Sequence, residues 1–186
     1  MREWGLLLDN KVLFFFLSFR TPFLNRVFYF LTWLGNGWVA FPLGLLVLLF
    51  KKSKKKVIKG GGILFLSLLL SSIVLHILKE GINRPRPLSL YPQIEVIGPP
   101  LKRASFPSGH SQVAFCVATV LVFFFPEWRL RFVIYILAGL VGISRIYLGV
   151  HFPSDVLAGG ILGYAGGKGG IFLSKKIWRE YEEGNN

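Results

Sequence analysis

RASFPSGHSQVAFCVATVLVFFF, residues 103–125, sets a proline, a glycine, serines and a histidine directly ahead of a long apolar run. A polar turn feeding a hydrophobic helix reads as a chain that enters hydrocarbon from a membrane surface. The rest of the sequence agrees. Of the 186 residues 53% are hydrophobic and 17% are charged, well below the ~25% charged usage of soluble domains. Further apolar runs at 34–50, 60–78, 132–143 and 155–173 join the one at 112–125. Each is long enough, or nearly so with its small polar ends, to cross a ~30 Å layer. The expected fold is all-α, a polytopic transmembrane bundle of five core spans over 34–173. The longest connection runs from about 79 to 107, too little for a separate soluble domain, so chemistry is expected at the membrane surface.

Asp9, Arg20 and Arg26 interrupt the apolar N-terminus, which does not read as a cleaved signal peptide. Thr21-Pro22 divides it, and Asn25, Arg26, Tyr29 and Thr32 recur at helical spacing opposite Phe23, Leu24, Val27, Phe28 and Leu31. Residues 1–33 therefore read as interfacial helices, with one kinked sixth span as the alternative. Residues 174–186 read as a tail.

A net charge of +13 invites a nucleic-acid reading, which its distribution removes. KKSKKKVIK (51–59), Arg129, Arg131, Lys175, Lys176 and Arg179 fall on one side if the spans alternate, as cytoplasmic loops do. On the opposite side stand Lys79, Arg84, Arg86, Lys102, Arg103 and Arg145. Cations there run against the topology rule, and an anionic ligand supplies their reason. In PSGH, Ser108 is placed to cap the following helix and Gly109 permits close backbone approach, which makes the helix start a natural phosphate site. His110 lies in the first turn.

KEGINRPRP, PSGH and SRIYLGVHFPSD match K-x6-R-P, P-S-G-H and S-R-x5-H-x3-D in that order, with all eleven specified letters present. This constellation resembles the type 2 phosphatidic acid phosphatase superfamily, a signature shared with vanadium haloperoxidases and glucose-6-phosphatase. The resemblance implies a phosphatase in which His151 is the nucleophile, Asp155 orients it, and His110 protonates the leaving oxygen and then activates water. It implies that Lys79, Arg86, Ser108, Gly109 and Arg145 bind the phosphoryl group, with no cofactor and no metal. A membrane lipid is the expected substrate, in a bacterial inner membrane, with the site facing the periplasm. Arg84, Lys102 and Arg103 are expected head-group contacts beyond the motif, which favours lipid A 1-phosphate. Undecaprenyl diphosphate and phosphatidylglycerophosphate are the alternatives within the family. A non-catalytic lipid-phosphate binder would keep the cations but lose a histidine or the aspartate, and a haloperoxidase has no need of a membrane.

Other residues have plainer readings. His76 suits helix packing or the interface, and Cys116, the only cysteine, suits the core. Gly159, Gly163 and Gly167 lie on one helical face, which favours packing inside the bundle over dimerisation. A monomer is expected.

Overall fold

The computed structural model describes residues 2–51, 53–99, 101 and 104–183, and every regular element among them is helical. In chain order these are α1 (Arg2–Ser18), α2 (Pro22–Leu31), a 3-10 turn (Thr32–Gly35), α3 (Gly37–Leu49), α4 (Lys54–Ile82), α5 (Pro87–Leu90), α6 (Gly109–Phe124), α7 (Trp128–Tyr147) and α8 (Pro153–Glu183). Starts and stops follow local chemistry. Thr21, Asn36, Ser53 and Ser108 each accept a backbone N–H of the helix that they open. Asn83 ends α4 in the left-handed conformation, φ 42°, directly before Arg84-Pro85.

The five expected runs fall on α3, α4, α6, α7 and α8. Of these, α4, α7 and α8 are long and apolar enough to span alone, whereas α2 and α3 qualify together as one span broken by a 72° bend. The boundary drawn at 33/34 lies inside the turn that joins them. At 16 residues α6 falls short of a full span by itself, about 24 Å at 1.5 Å per residue. Its PSGH end is correspondingly sunk in protein, with Ser108 wholly buried.

Helix α6 is the centre of the bundle, packed against α3, α4, α7 and α8. Its apolar residues Val117, Val120 and Leu121 share a core with Leu48 of α3 and Ile63 and Leu64 of α4. Against α8 the contact is backbone to backbone. A Cβ on Gly163 would sit 2.2 Å from the Gln112 carbonyl oxygen, and one on Gly159 would sit 2.3 Å from that of Ser108. Gly166 and Gly170 admit Ser71 and Ser67 of α4 in the same manner. The glycine face is therefore used inside the bundle, where close approach adds dispersion contacts that lipid does not replace. Cys116 is buried in this seam beside Ser71, and exposed His76 bonds the Ser72 carbonyl one turn back.

The two ends are built differently. At one end Lys51 lies 4.1 Å from the Phe125 ring centroid and Lys175 lies 5.1 Å from that of Phe123. At the other, the starts of α6 and α8 meet the ends of α4 and α7. There α1 docks through Leu13, fully buried among Ile94, Ile146 and Phe152. The polar stripe of α2 has a use beyond amphipathy, since Asn25 accepts the Tyr147 hydroxyl at 2.8 Å and Thr32 accepts Arg145 at 2.6 Å.

Gly163→Ala should cost about 1–3 kcal/mol of stability, the range for overpacking a filled site. Gly169→Ala, which meets nothing within 4 Å, should cost none. Thermal unfolding in detergent distinguishes them, and equal midpoints would refute the close-contact argument.

Candidate active site

The turn between α7 and α8 brings the second histidine of the signature into place. Gly149 adopts φ 76° there, a conformation that L side chains rarely take, so the turn calls for glycine. The chain then delivers His151, 2% exposed, onto the end of the bundle. Its Nδ1 is 3.5 Å from Asp155 Oδ2, and Ser105 Oγ sits beside the pair, 3.4 Å from Nδ1 and 2.5 Å from the same carboxylate oxygen. Phe152 N–H also donates to Asp155 Oδ2, at 2.9 Å. The carboxylate is thus held from several directions before it meets the ring. Burial pushes the His151 imidazole below its ordinary value, opposed by the Asp155 contact and reinforced by Arg86 and Arg145. A neutral ring with Nε2 unprotonated is the form that can attack phosphorus.

Nε2 faces cations. Arg86 Nη1 lies 3.3 Å from it and donates to the Val150 carbonyl at 2.7 Å, while Nη2 donates to the Ala104 carbonyl at 3.2 Å. Lys79 Nζ, from the last turn of α4, donates to that same carbonyl at 2.7 Å. Burial lowers the Arg86 guanidinium from its ordinary value, and Asp155 draws it back up. Arg145, 5% exposed, gives Nη1 to Thr32, yet its buried Nε has no partner. An unsatisfied guanidinium N–H is costly, and an arriving anionic oxygen would satisfy it.

Arg145 and His110 share a pocket of about 270 Å³ with Tyr29, Thr32, Trp33, Asn36, Ile97, Pro99, Leu101, Leu148 and Val150. One end is cationic and the wall is apolar and aromatic, a shape for an amphiphile. Ser108 caps α6, its Oγ accepting from Ser111 N at 3.4 Å, and its own N–H donates to the Asp155 carbonyl at 2.9 Å. The first N–H groups of α6, those of Gly109 and His110, lack an intrahelical acceptor. Around Gly109 a Cβ would find only Leu75 at an ordinary 3.5 Å, so protein packing does not demand the glycine.

Sequence expectation and structure differ at Arg84. It does not extend to a head group. Its Nη1 donates to Asp155 Oδ1 and Ser154 Oγ, each at 2.7 Å, its Nη2 donates to Asp9 Oδ2 at 2.7 Å, and its guanidinium stacks 4.3 Å from the Phe152 ring centroid. Two carboxylates hold this part-buried cation within the protein. Lys102 and Arg103 lie outside the described residues. Three further groups at the site, Ser105, Thr32 and Asp9, carry no motif letter. Only Asp9 leaves a sequence signal, as a lone acid within GLLLDNKVLFFF. Among the described residues no three His, Cys, Asp or Glu cluster in the manner of metal ligands, and both Asp155 oxygens are committed as above.

The PAP2 superfamily model matches residues 60–178. The phosphatidylglycerophosphatase B of Bacillus subtilis is 36% identical over 77% of this chain and 72% of its own. The undecaprenyl-diphosphatase of Sulfolobus acidocaldarius is 33% identical over 75% of this chain and 66% of its own. A lipid A 1-phosphatase of Rhizobium johnstonii is 32% identical over 53% of this chain and 41% of its own. The crystal structure of Aquifex aeolicus LpxE superposes with a TM-score of 0.78 at 32% identity, covering 88% of this chain and 94% of that one. With every signature letter present and the fold shared across nearly the whole of LpxE, the chain belongs to the PAP2 superfamily as a multi-pass membrane member whose named relatives are lipid phosphatases.

Proposed function

We propose that this protein hydrolyses a phosphate group from a membrane lipid through a phosphohistidine on His151. The observation that carries the reading is the placement of Arg86 3.3 Å from His151 Nε2, with Arg145 in the pocket beside His110. In the first step the Nε2 lone pair forms the N–P bond, the P–O bond to the lipid breaks, and His110 gives its proton to the departing oxygen. Asp155, through its contact with Nδ1, keeps that nitrogen protonated and faces the positive charge that the ring gains. In the second, His110 takes a proton from water, whose oxygen attacks phosphorus and releases phosphate from His151. Lys79, Arg86, Arg145 and the start of α6 supply charge where the phosphoryl oxygens gain it, the task that Mg²⁺ performs in many phosphoryl transfers. Turnover is accordingly expected to persist in EDTA.

The apolar wall of Tyr29, Trp33, Ile97 and Leu101 beside a cationic end favours a lipid over a soluble ester. Lipid A 1-phosphate is the proposed substrate, supported by the Rhizobium relative and by Lys102 and Arg103 as extra cations; Arg84 no longer adds to that case. Undecaprenyl diphosphate is the second reading, favoured by a Sulfolobus relative that covers more of this chain. The proposed location is a bacterial inner membrane with the site facing the periplasm, supported by the lysine-rich opposite end. Phosphate release from purified lipid A, undecaprenyl diphosphate, phosphatidylglycerophosphate and phosphatidic acid in detergent with EDTA ranks the substrates, and no release from any would defeat the assignment.

His151→Ala should abolish turnover while the protein extracts and unfolds like the wild type, and acid-labile phosphate trapped on the wild type should be missing. Retention of a tenth of the activity would exclude His151 as nucleophile. Arg145→Ala should lower kcat by at least ~10²-fold, the size seen when one preorganised charge-stabilising donor is lost; a change confined to KM would show that Arg145 binds ground and transition states alike. For orientation, Gln93→Cys at the site end should react with impermeant maleimide on intact cells, and Lys55→Cys at the other end should not. Native Cys116 is buried and gives little background. The reverse labelling would place the site in the cytoplasm.

A further inference from the structure

We infer that Asp9 of α1 is a positioning residue for the His151–Asp155 pair, acting through Arg84, an inference that rests on the nucleophile reading above. The geometry is a buried relay. Asp9 Oδ2 accepts Arg84 Nη2 at 2.7 Å, and Arg84 Nη1 reaches Asp155 Oδ1 at 2.7 Å. The side chains of Asp9, Arg84 and Asp155 are 7%, 17% and 0% exposed. Asp9 also takes the first turn of α8 directly, accepting Ser154 N–H at 2.8 Å through Oδ1 and the Ser154 hydroxyl at 2.5 Å through Oδ2. A contact between residues 145 apart in sequence thus fixes the turn that presents Asp155.

Charge gives this arrangement its consequence. Arg84 alone beside Asp155 would neutralise the carboxylate that must face the imidazole when it becomes a cation on forming the N–P bond. With Asp9 on its other side the guanidinium divides its donors between two carboxylates, and the three groups retain one net negative charge. That charge is the one that Asp155 presents to His151 from 3.5 Å. Asp9 also gives Arg84 Nη2 a partner, where burial without one is costly. The Phe152 ring against the guanidinium face closes the remaining direction.

A role limited to docking α1 is separable from this one. Leu13 anchors the same helix through apolar contact with Ile94, Ile146 and Phe152, and Leu13→Ala loosens α1 while every charged and hydrogen-bonding group of the relay stays in the chain. The experiment measures kcat, KM and the unfolding midpoint in one detergent for Asp9→Asn, Arg84→Ala, the double variant, Leu13→Ala and His151→Ala, using the lipid that the wild type turns over fastest. Asp9→Asn should lower kcat about 10- to 100-fold, the range for outer groups that orient a reacting one, with KM little changed. The double variant should be no slower than Arg84→Ala, because both changes remove one relay. Leu13→Ala should lower the midpoint and leave kcat near the wild-type value. A wild-type kcat in Asp9→Asn, losses that multiply in the double variant, or a Leu13→Ala as slow as Asp9→Asn would each overturn the inference. Activity in His151→Ala would overturn the nucleophile reading and this inference with it, whereas an inactive His151→Ala beside a full-speed Asp9→Asn would overturn the inference alone.

Discussion

The rest of the molecule depends on the backbone contact between α6 and α8. Gly159 lies against the Ser108 carbonyl so closely that a Cβ would meet it at 2.3 Å, and in the same junction Ser108 N–H bonds the Asp155 carbonyl at 2.9 Å. Two helix starts are thereby pressed together. One carries the PSGH turn and the other the aspartate of the signature. A larger residue at Gly159 would separate the halves of the site before it affected any catalytic side chain. Small residues in the last helix are therefore a requirement of the chemistry as much as of packing in lipid.

Bringing Lys79, Arg86 and Arg145 to one end of a bundle in low dielectric is costly, because like charges repel and each loses water. Dipoles offset part of this. The Ala104 carbonyl accepts both Lys79 and Arg86, the Val150 carbonyl accepts Arg86, and the Thr32 hydroxyl accepts Arg145. Such partners fix the direction in which each cation presents its donors. Arg84 is treated differently. Two carboxylates claim it, and it ties α1 to the start of α8.

Much of this is written in the sequence, and the reasons for the remainder are specific. The runs at 60–78 and 155–173 mark the hydrocarbon layer, whereas α4 and α8 extend to Lys54–Ile82 and Pro153–Glu183, since hydropathy reports the layer and lysine-rich turns continue a helix beyond it. Lys79, Arg86, His110, Arg145, His151 and Asp155 are legible because their spacing is a joint signal, although each alone passes for a snorkelling, capping or packing residue. Arg84 was legible as a cation but not as a partner, because the groups that take it lie 75 and 71 residues away. Ser105 and Thr32 look like any turn serine or helix threonine until the fold turns them inward. GNG at 35–37 reads as a turn, and Asn36 does cap α3 there, but a turn motif alone does not fix the 72° angle of α2 against α3.

The contact of Asp9 with Ser154 sets an order on biogenesis. Chains emerge N-terminus first, so the first helix waits through the insertion of every other span before its carboxylate finds the start of α8. Until then Lys79, Arg84 and Arg86 are already in or near the membrane, but Arg145, His151 and Asp155 have yet to emerge. A nascent chain of this protein gathers the cations of α4 and its following loop early and assembles the candidate site only once the start of α8 is in place.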